Sequence, residues 1–365
     1  MLHRFALLIF FTFVGFFLSL PASADAKERM TIEDMEKRKV EVPRSAQRII
    51  CLGPGSLRLI CYLGALEKVV GVESFEKTRP VGRTYLHAFP QLAQLPAIGP
   101  GGPAAINKEP DLEAVLKVNP EVIFVANMEP HRADGLQKKL GIPVVLLSYG
   151  GFATFDEVVF DSLRLAGKIL QRERRAEEVI AFIEGCRKDL LRRTAEAQDP
   201  VKPRVYIGGI GFRGTQGLES TDASYFPLDW VRARNLAQEI APKGHLFVNK
   251  EKILAWNPDL IFIDGGGWRN IEQDFRKKPE YYQSLKAFRE RRAYLLFPYN
   301  WYVTNIDTAI LDAYVAGKVL YPASFPYLDP SRKADEIYAF FFQRSVYEAM
   351  KKEFGEIGAP VEFRP

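Results

Sequence analysis

The most constraining feature of this chain is an internal repeat. Asp111-Leu-Glu113-Ala-Val-Leu-Lys-Val-Asn119-Pro120-Glu-Val-Ile-Phe aligns with Asn249-Lys-Glu251-Lys-Ile-Leu-Ala-Trp-Asn257-Pro258-Asp-Leu-Ile-Phe, without a gap and at a constant offset of 138 residues. In each copy a Glu precedes an Asn-Pro pair at the same distance, and an apolar run follows. A residue before Pro is pushed out of the helical region, so each copy reads as a short helix, a break and a buried strand. Two such units could resemble each other by chance, but the helix and strand periods around both copies also agree. The chain is therefore read as α/β, with two similar α/β lobes. Their central sheets are mainly parallel, and one long α-helix joins them.

Flanking patterns extend this reading. Thr31 to Pro43 reads as an edge hairpin, and Arg48 to Leu52 as a strand ending at Gly53-Pro54-Gly55. Ser56 stands where a side chain caps a helix over Leu57–Leu63. Val69–Val72 is a second strand, and Thr78–Gly102 a long Pro- and Gly-rich loop. Val122–Ala126 and Val144–Leu147 are strands around a helix at His131–Leu140. Phe155–Ile169 and Arg174–Ala197 read as helices separated near Leu170-Gln171. In the longer one Ala176, Val179, Ile180, Ile183, Cys186 and Leu190 recur at helical spacing. Strands follow at Val205–Ile207, Leu260–Ile263 and Tyr294–Phe297. Helices are expected within Leu228–Ile240, at Lys250–Ala255, at Asn305–Leu320 and twice near the C-terminus. The expected division is 25–170 for the first lobe, 171–200 for the joining helix and 201–365 for the second lobe.

Residues 1–24 read as a signal peptide: Arg4, an apolar run from Ala6 to Leu20, then Ala22-Ser23-Ala24 at the cleavage site. An uncleaved anchor is the alternative. No Cys follows the run, which argues against lipid attachment there. The mature chain is expected free in the periplasm, as a monomer. The 365 residues carry 50 basic and 45 acidic side chains, a net +5, and loss of Arg4 with the leader leaves +4. These charges are scattered, so a nucleic-acid partner is not expected. Cys51, Cys61 and Cys186 lack a CxxC pattern and read as buried thiols, with a Cys51–Cys61 bridge as the alternative. His87, His131 and His245 are too dispersed for a metal site, and no cofactor is expected. Gly209-Ile-Gly211-Phe-Arg-Gly214 matches GxGxxG, but a polar loop follows where a dinucleotide site needs a helix. No GxSxG or Walker A pattern is present, which argues against an enzyme.

The repeat, the leader, the opening Arg48-Ile-Ile-Cys-Leu-Gly-Pro…Ser56 and the helix ending Leu163…Leu165-Ala-Gly-Lys-Ile-Leu170 resemble the helical-backbone class of periplasmic substrate-binding proteins. These serve ABC importers for ferric siderophores, vitamin B12, haem and some oxyanions. The resemblance spans nearly all of 31–355. It implies a cleft between lobes that move little, and a small-molecule cargo, a metal chelate or an anion. A ferric siderophore leads, with a corrinoid, haem, molybdate or tungstate as alternatives. An exported two-lobe enzyme is the alternative of another class. The resemblance further implies one surface Glu per lobe docking on the permease, here Glu113 and Glu251. Family members often carry an acid two places after the first-loop Ser, where this chain has Arg58.

Ligands of open α/β sheets bind beyond the carboxyl ends of the strands. The ligand-binding set expected on that rule is Pro54, Gly55, Ser56, Arg58, Asn127 and Tyr149 from the first lobe, with Arg83 and Tyr85 from its long loop. The second lobe adds Arg213, Ser220, Thr221, Tyr225, Trp268, Tyr299, Asn300, Trp301 and Tyr302. Aromatic faces with a few aimed donors are how ligand pockets are built, and Arg supplies forked donors to anions.

Overall fold

A computed structural model describes residues 28–78, 80–151, 157–195 and 202–363. The leader at 1–24 lies outside these, as do 152–156 and 196–201 at the expected ends of two helices. Twelve strands occur among the described residues: β1 Arg29–Glu33, β2 Lys39–Pro43, β3 Ile49–Leu52, β4 Val69–Gly71, β5 Val122–Ala126, β6 Val144–Leu147, β7 Arg204–Gly208, β8 Ser220–Asp222, β9 Arg234–Asn235, β10 His245–Phe247, β11 Leu260–Asp264 and β12 Ala293–Leu296. Two four-stranded parallel sheets form, in the orders β4-β3-β5-β6 and β9-β7-β11-β12. The order is the same in both, so the lobes share one topology. Every residue of β3, β5, β6 and β11 is buried. That is the reason these strands read as unbroken apolar runs, because helices cover both faces of a parallel sheet.

The repeat is structural as well as sequential. Helices Leu112–Val118 and Lys250–Trp256 are capped by Asp111 and Asn249, whose side-chain oxygens accept from Ala114 N at 3.0 Å and Lys252 N at 2.7 Å. Asn119 (φ 46°) and Asn257 (φ 42°) end them in the left-handed region. Glu121 Oε2 accepts from Gln47 N at 2.6 Å at the entry to β3, and Asp259 Oδ2 from Arg204 N at 3.0 Å at the entry to β7.

The helix Glu173–Ala195 has 23 residues, about 35 Å at 1.5 Å per residue. Its buried side chains are the six spaced apolar residues named above, with Thr194. It packs against helices Val158–Leu170 and Ile306–Leu320, and Phe182 stacks on Phe340 at 3.8 Å. Helix Pro330–Phe342 returns to the first lobe, where Phe341 meets Tyr62 at 4.5 Å. One apolar cluster consequently runs without interruption from Ile32 through both lobes to Ile357.

Several local expectations need correction. Leu228–Ile240 is not one helix: helix Phe226–Asp229, β9 and a 3-10 turn at Leu236–Glu239 share it, because Asn235 turns inward and donates to Asp222 O at 2.9 Å. The loop Thr78–Gly102 contains helix Thr84–Ala88 and the 3-10 helix Pro90–Gln94, anchored by a buried ion pair. Ser56 does not cap its helix; Gly55 occupies the N-cap at φ 77° and Ser56 Oγ donates to Phe124 O at 3.2 Å. The antiparallel pair β8/β10 and helix Trp268–Lys277 were not anticipated. All three cysteines are buried and free, so the Cys51–Cys61 bridge is absent. Beyond Gly214 the chain runs to β8, with no helix opening there.

Candidate ligand cleft and docking face

Each sheet reverses its strand order beside its first strand, between β3 and β5 and between β7 and β11. Crevices form at such switch points. The chain leaves β3 at Gly53 (φ 77°), where a Cβ would stand 2.2 Å from Ala126 O at the end of β5. It leaves β7 at Gly209 (φ 82°), where a Cβ would stand 3.1 Å from Asp264 O at the end of β11. Only glycine combines that close approach with that backbone conformation.

The floor between the lobes is the turn Tyr299–Asn305. Asn300 Nδ2 donates to Gly211 O at 2.8 Å in the second lobe, and Asn305 Nδ2 to Gly82 O at 3.0 Å in the first. The Tyr302 hydroxyl donates to Glu73 Oε2 at 2.9 Å and accepts from Gly102 N at 3.0 Å. Tyr302 (φ 57°) and the β-branched Val303 (φ 71°) both lie in the left-handed region. Such conformations cost about 1–3 kcal/mol each and persist where surroundings over-determine them. Here the surroundings include Arg58. Its Nη1 donates to Thr304 O at 2.9 Å and Val303 O at 3.3 Å, and its Nη2 to Trp301 O at 2.9 Å and Tyr302 O at 3.4 Å. One guanidinium thus gathers four successive carbonyls of the opposite lobe, over the Tyr85 ring at 5.2 Å.

Much of the expected ligand set is turned inward in this structure. Arg58, Ser56, Tyr85, Ser220, Thr221, Tyr225 and Tyr299 have no solvent-accessible surface. Arg83 pairs with the buried Glu76 at 3.0 Å, and the Tyr85 hydroxyl donates to the same carboxylate at 2.8 Å. Pro54 and Gly55 are buried, and a Cβ on Gly55 would stand 2.3 Å from Val303. Tyr149 donates its hydroxyl to Gly55 O at 2.9 Å. Arg58 and Gly55 belong to the joint between the lobes, and the others pack within their own lobe, because an Arg or Tyr near the crevice can point down into the floor as readily as up into it. Trp268 is half-buried and stacks on Phe363 at 5.3 Å. Trp301, also half-buried, lies against Gly82, Gly266 and Phe354.

The floor hides carboxyls. Burial pushes Glu73 up to about 7 against the hydrogen bonds from Gly53 N and the Tyr302 hydroxyl. Burial likewise raises Asp264 to about 7, against hydrogen bonds from Tyr299 N and Gly266 N. Neither acid was singled out from the sequence.

Open surface remains at the rim. In the first lobe a shallow recess is lined by Gly53, Glu73, Gly101, Asn107, Lys108 and the exposed Asn127, among others. In the second, Phe212 stacks face to face on His245 at 4.1 Å, Phe247 meets that ring edge-on at 4.9 Å, and the exposed Arg213 guanidinium lies 5.5 Å from the Phe212 ring centre. Phe247 is 57% exposed. His245 Nε2 meets Ser220 Oγ at 2.7 Å, and burial lowers its pKa to about 4, so the ring is neutral at ordinary pH. His245 and Phe247 were not among the expected site residues, and Phe212 stood only within the expected strand end beside Arg213. The available signal was the alternation of His245-Leu-Phe247, too short to read as a strand by period alone. Among the described residues no three His, Cys, Asp or Glu side chains converge as metal ligands.

Glu113 and Glu251 are exposed in the first turns of their helices, and neither forms an ion pair among the described residues. They lie at the amino-terminal ends of the helices preceding β5 and β11; in the first lobe Glu109 and Pro110, just before that helix, line the same recess as Gly53 and Asn127.

Residues 49–299 match the family model of the periplasmic binding protein. The chain belongs to the periplasmic binding protein family. Family members of this kind are the substrate-binding components of ABC importers rather than enzymes. The molybdate-binding protein MolA of Haemophilus influenzae is 24% identical over 346 residues, covering 90% of this chain and 94% of that protein. Its molybdate-bound structure superposes with a TM-score of 0.68 at 22% identity, over 87% of this chain and 98% of that one. A periplasmic solute-binding protein of Veillonella parvula gives 0.68 at 20% identity, over 90% and 97%. The petrobactin-binding protein YclQ of Bacillus subtilis gives 0.55 at 18% identity, over 82% and 99%. These likenesses establish the shared two-lobe fold.

Proposed function

We propose that this periplasmic binding protein is exported to the periplasm, captures an anionic metal chelate of the ferric siderophore class in its cleft, and delivers it to an ABC permease. The cargo leaves chemically unchanged. The observation that carries the chelate reading is the rim shelf of Phe212, His245 and Phe247 with Arg213 beside it. An aromatic shelf suits the extended organic faces of a chelate, and an exposed Arg suits its negative charge. Arg58 and Arg83, the arginines expected to grip a bare oxyanion, are committed to carbonyls and to Glu76. Ligand contacts are assigned to Asn127 and Arg213 with the shelf, and permease docking to Glu113 and Glu251. A molybdate-type oxyanion is the second reading, favoured by the length over which MolA aligns.

Tryptophan-fluorescence titration with ferric catecholate and hydroxamate siderophores, a corrinoid, haem, molybdate and tungstate tests this. A ferric chelate should bind most tightly, Arg213→Ala should weaken it, and the recovered chelate should have an unchanged absorption spectrum. Binding of molybdate or tungstate with no response to any chelate would overturn the chelate reading. Chemical turnover of the bound compound would overturn the transport reading.

A further inference from the structure

Among the described residues, five large apolar side chains stand well exposed: Leu116, Ile240, Phe247, Leu254 and Tyr327. Two of these five, Leu116 at 54% and Leu254 at 41% exposure, are the same position of the internal repeat. Each lies three residues after the exposed carboxylate of its copy, Glu113 or Glu251. Residues three apart lie side by side on a helix surface, so each lobe presents a Glu and a Leu as neighbours. Folding does not need these leucines. The same helices seat themselves through Val115 and Val118 in one copy and through Ile253 and Trp256 in the other. A single exposed Leu is ordinary surface. Recurrence at one register in both lobes, beside a carboxylate with no ion pair among the described residues, is a patterned surface.

We propose that Leu116 and Leu254 are the apolar halves of two equivalent docking points, and that the partner is a membrane permease with two like halves. Each half presents a cationic side chain next to a shallow apolar socket. The inference rests on the assignment of Glu113 and Glu251 to docking and deepens it. Charge complementarity selects the partner's cation, and the repeat selects a partner that is itself two-fold. The carboxylates govern encounter and orientation; the leucines, buried on contact, govern residence.

The test uses the full mature chain and the cognate ABC permease in lipid nanodiscs, with binding read by interferometry across a salt series. Leu116→Ser and Leu254→Ser should each weaken binding by about 3- to 10-fold, and the pair by about 10- to 100-fold, through faster dissociation with the salt dependence intact. Glu113→Gln with Glu251→Gln should flatten the salt dependence. Melting curves of the leucine variants should match the parent. If the Glu pair weakens binding while the Leu pair binds like the parent, the leucine inference fails and docking stands. If the Glu pair binds like the parent at every salt concentration, the docking assignment itself fails. Weakening by only one leucine would overturn the two-fold arrangement. A dimer of this chain that the Leu pair abolishes in sedimentation, with permease binding unchanged, would assign the face to self-association instead.

Discussion

Arg58→Met should loosen the joint between the lobes. The guanidinium makes two close bonds, to Trp301 O and Thr304 O at 2.9 Å, and two longer ones to Val303 O and Tyr302 O. Hydrogen bonds to a charged group contribute roughly 1.5–3 kcal/mol each, and carbonyls left buried without a donor add a desolvation cost. Methionine keeps most of the stem's packing, so the loss should come from the polar end. The close pair alone predicts about 3–5 kcal/mol of lost stability. At about 1–2 °C per kcal/mol for a chain this long, by extension from smaller domains, the melting midpoint should fall by roughly 3–10 °C. Arg58→Lys should recover only part, since one compact ammonium cannot span four carbonyls. Calorimetry gives the midpoint, and hydrogen exchange gives the local effect: amides of 299–305 should lose protection before the strands do. The alternative is that Arg58 contacts ligand. In that case Arg58→Met would leave melting and exchange as in the parent and would lower only ligand affinity, and that result would refute the reasoning.

Other expectations concern the same floor. Glu73 ionises at about 7 when folded against 4.5 in an unfolded reference, so the native state holds this proton more firmly. Its contribution is fully present below the unfolded value and is lost as pH climbs from about 4.5 through about 7, by up to about 3 kcal/mol. Denaturant unfolding should show stability falling across that interval, more shallowly in Glu73→Gln; equal slopes in the two proteins would count against it. Gly53→Ala forces a Cβ to 2.2 Å from Ala126 O at φ 77°, and should cost about 2–4 kcal/mol. An unchanged midpoint would show that the β3–β5 exit is more pliable than drawn. Trp301→Ala should lower stability by about 2–4 kcal/mol, because the ring fills space against Gly82 and Gly266. Lost ligand affinity with unchanged melting would make Trp301 a ligand contact instead.

How much of this was legible beforehand depends on the reach of each interaction. The repeat around Asn119 and Asn257 was readable because caps, Asn-Pro breaks and buried runs act over a few residues. The runs at Val122–Ala126 and Val144–Leu147 were readable because strands covered on both faces carry no polar positions to confuse the period. The register of Glu113 and Glu251 followed from the repeat alone. Missed were β8 and β10, which are three residues each and gain their pairing from each other. Missed too was the helix reading at Leu228–Ile240, where Asn235 finds a tertiary partner that competes with helical bonding. The fate of the expected site residues lay further still from local pattern. Strand ends and the long loop placed Arg58, Arg83, Tyr85, Tyr225 and Tyr299 near the crevice, but position does not say which way a side chain turns. Arg58 and the Val303 carbonyl are 245 residues apart, and Tyr302 and Glu73 are 229 apart. By itself the sequence determined two like lobes, the buried strands of their sheets and their matched outer faces, since each rests on contacts within a short stretch of chain. Only the tertiary structure decided that Arg58 and Tyr302 bind the lobes together, because a buried cation goes wherever folding leaves carbonyls in need of a donor.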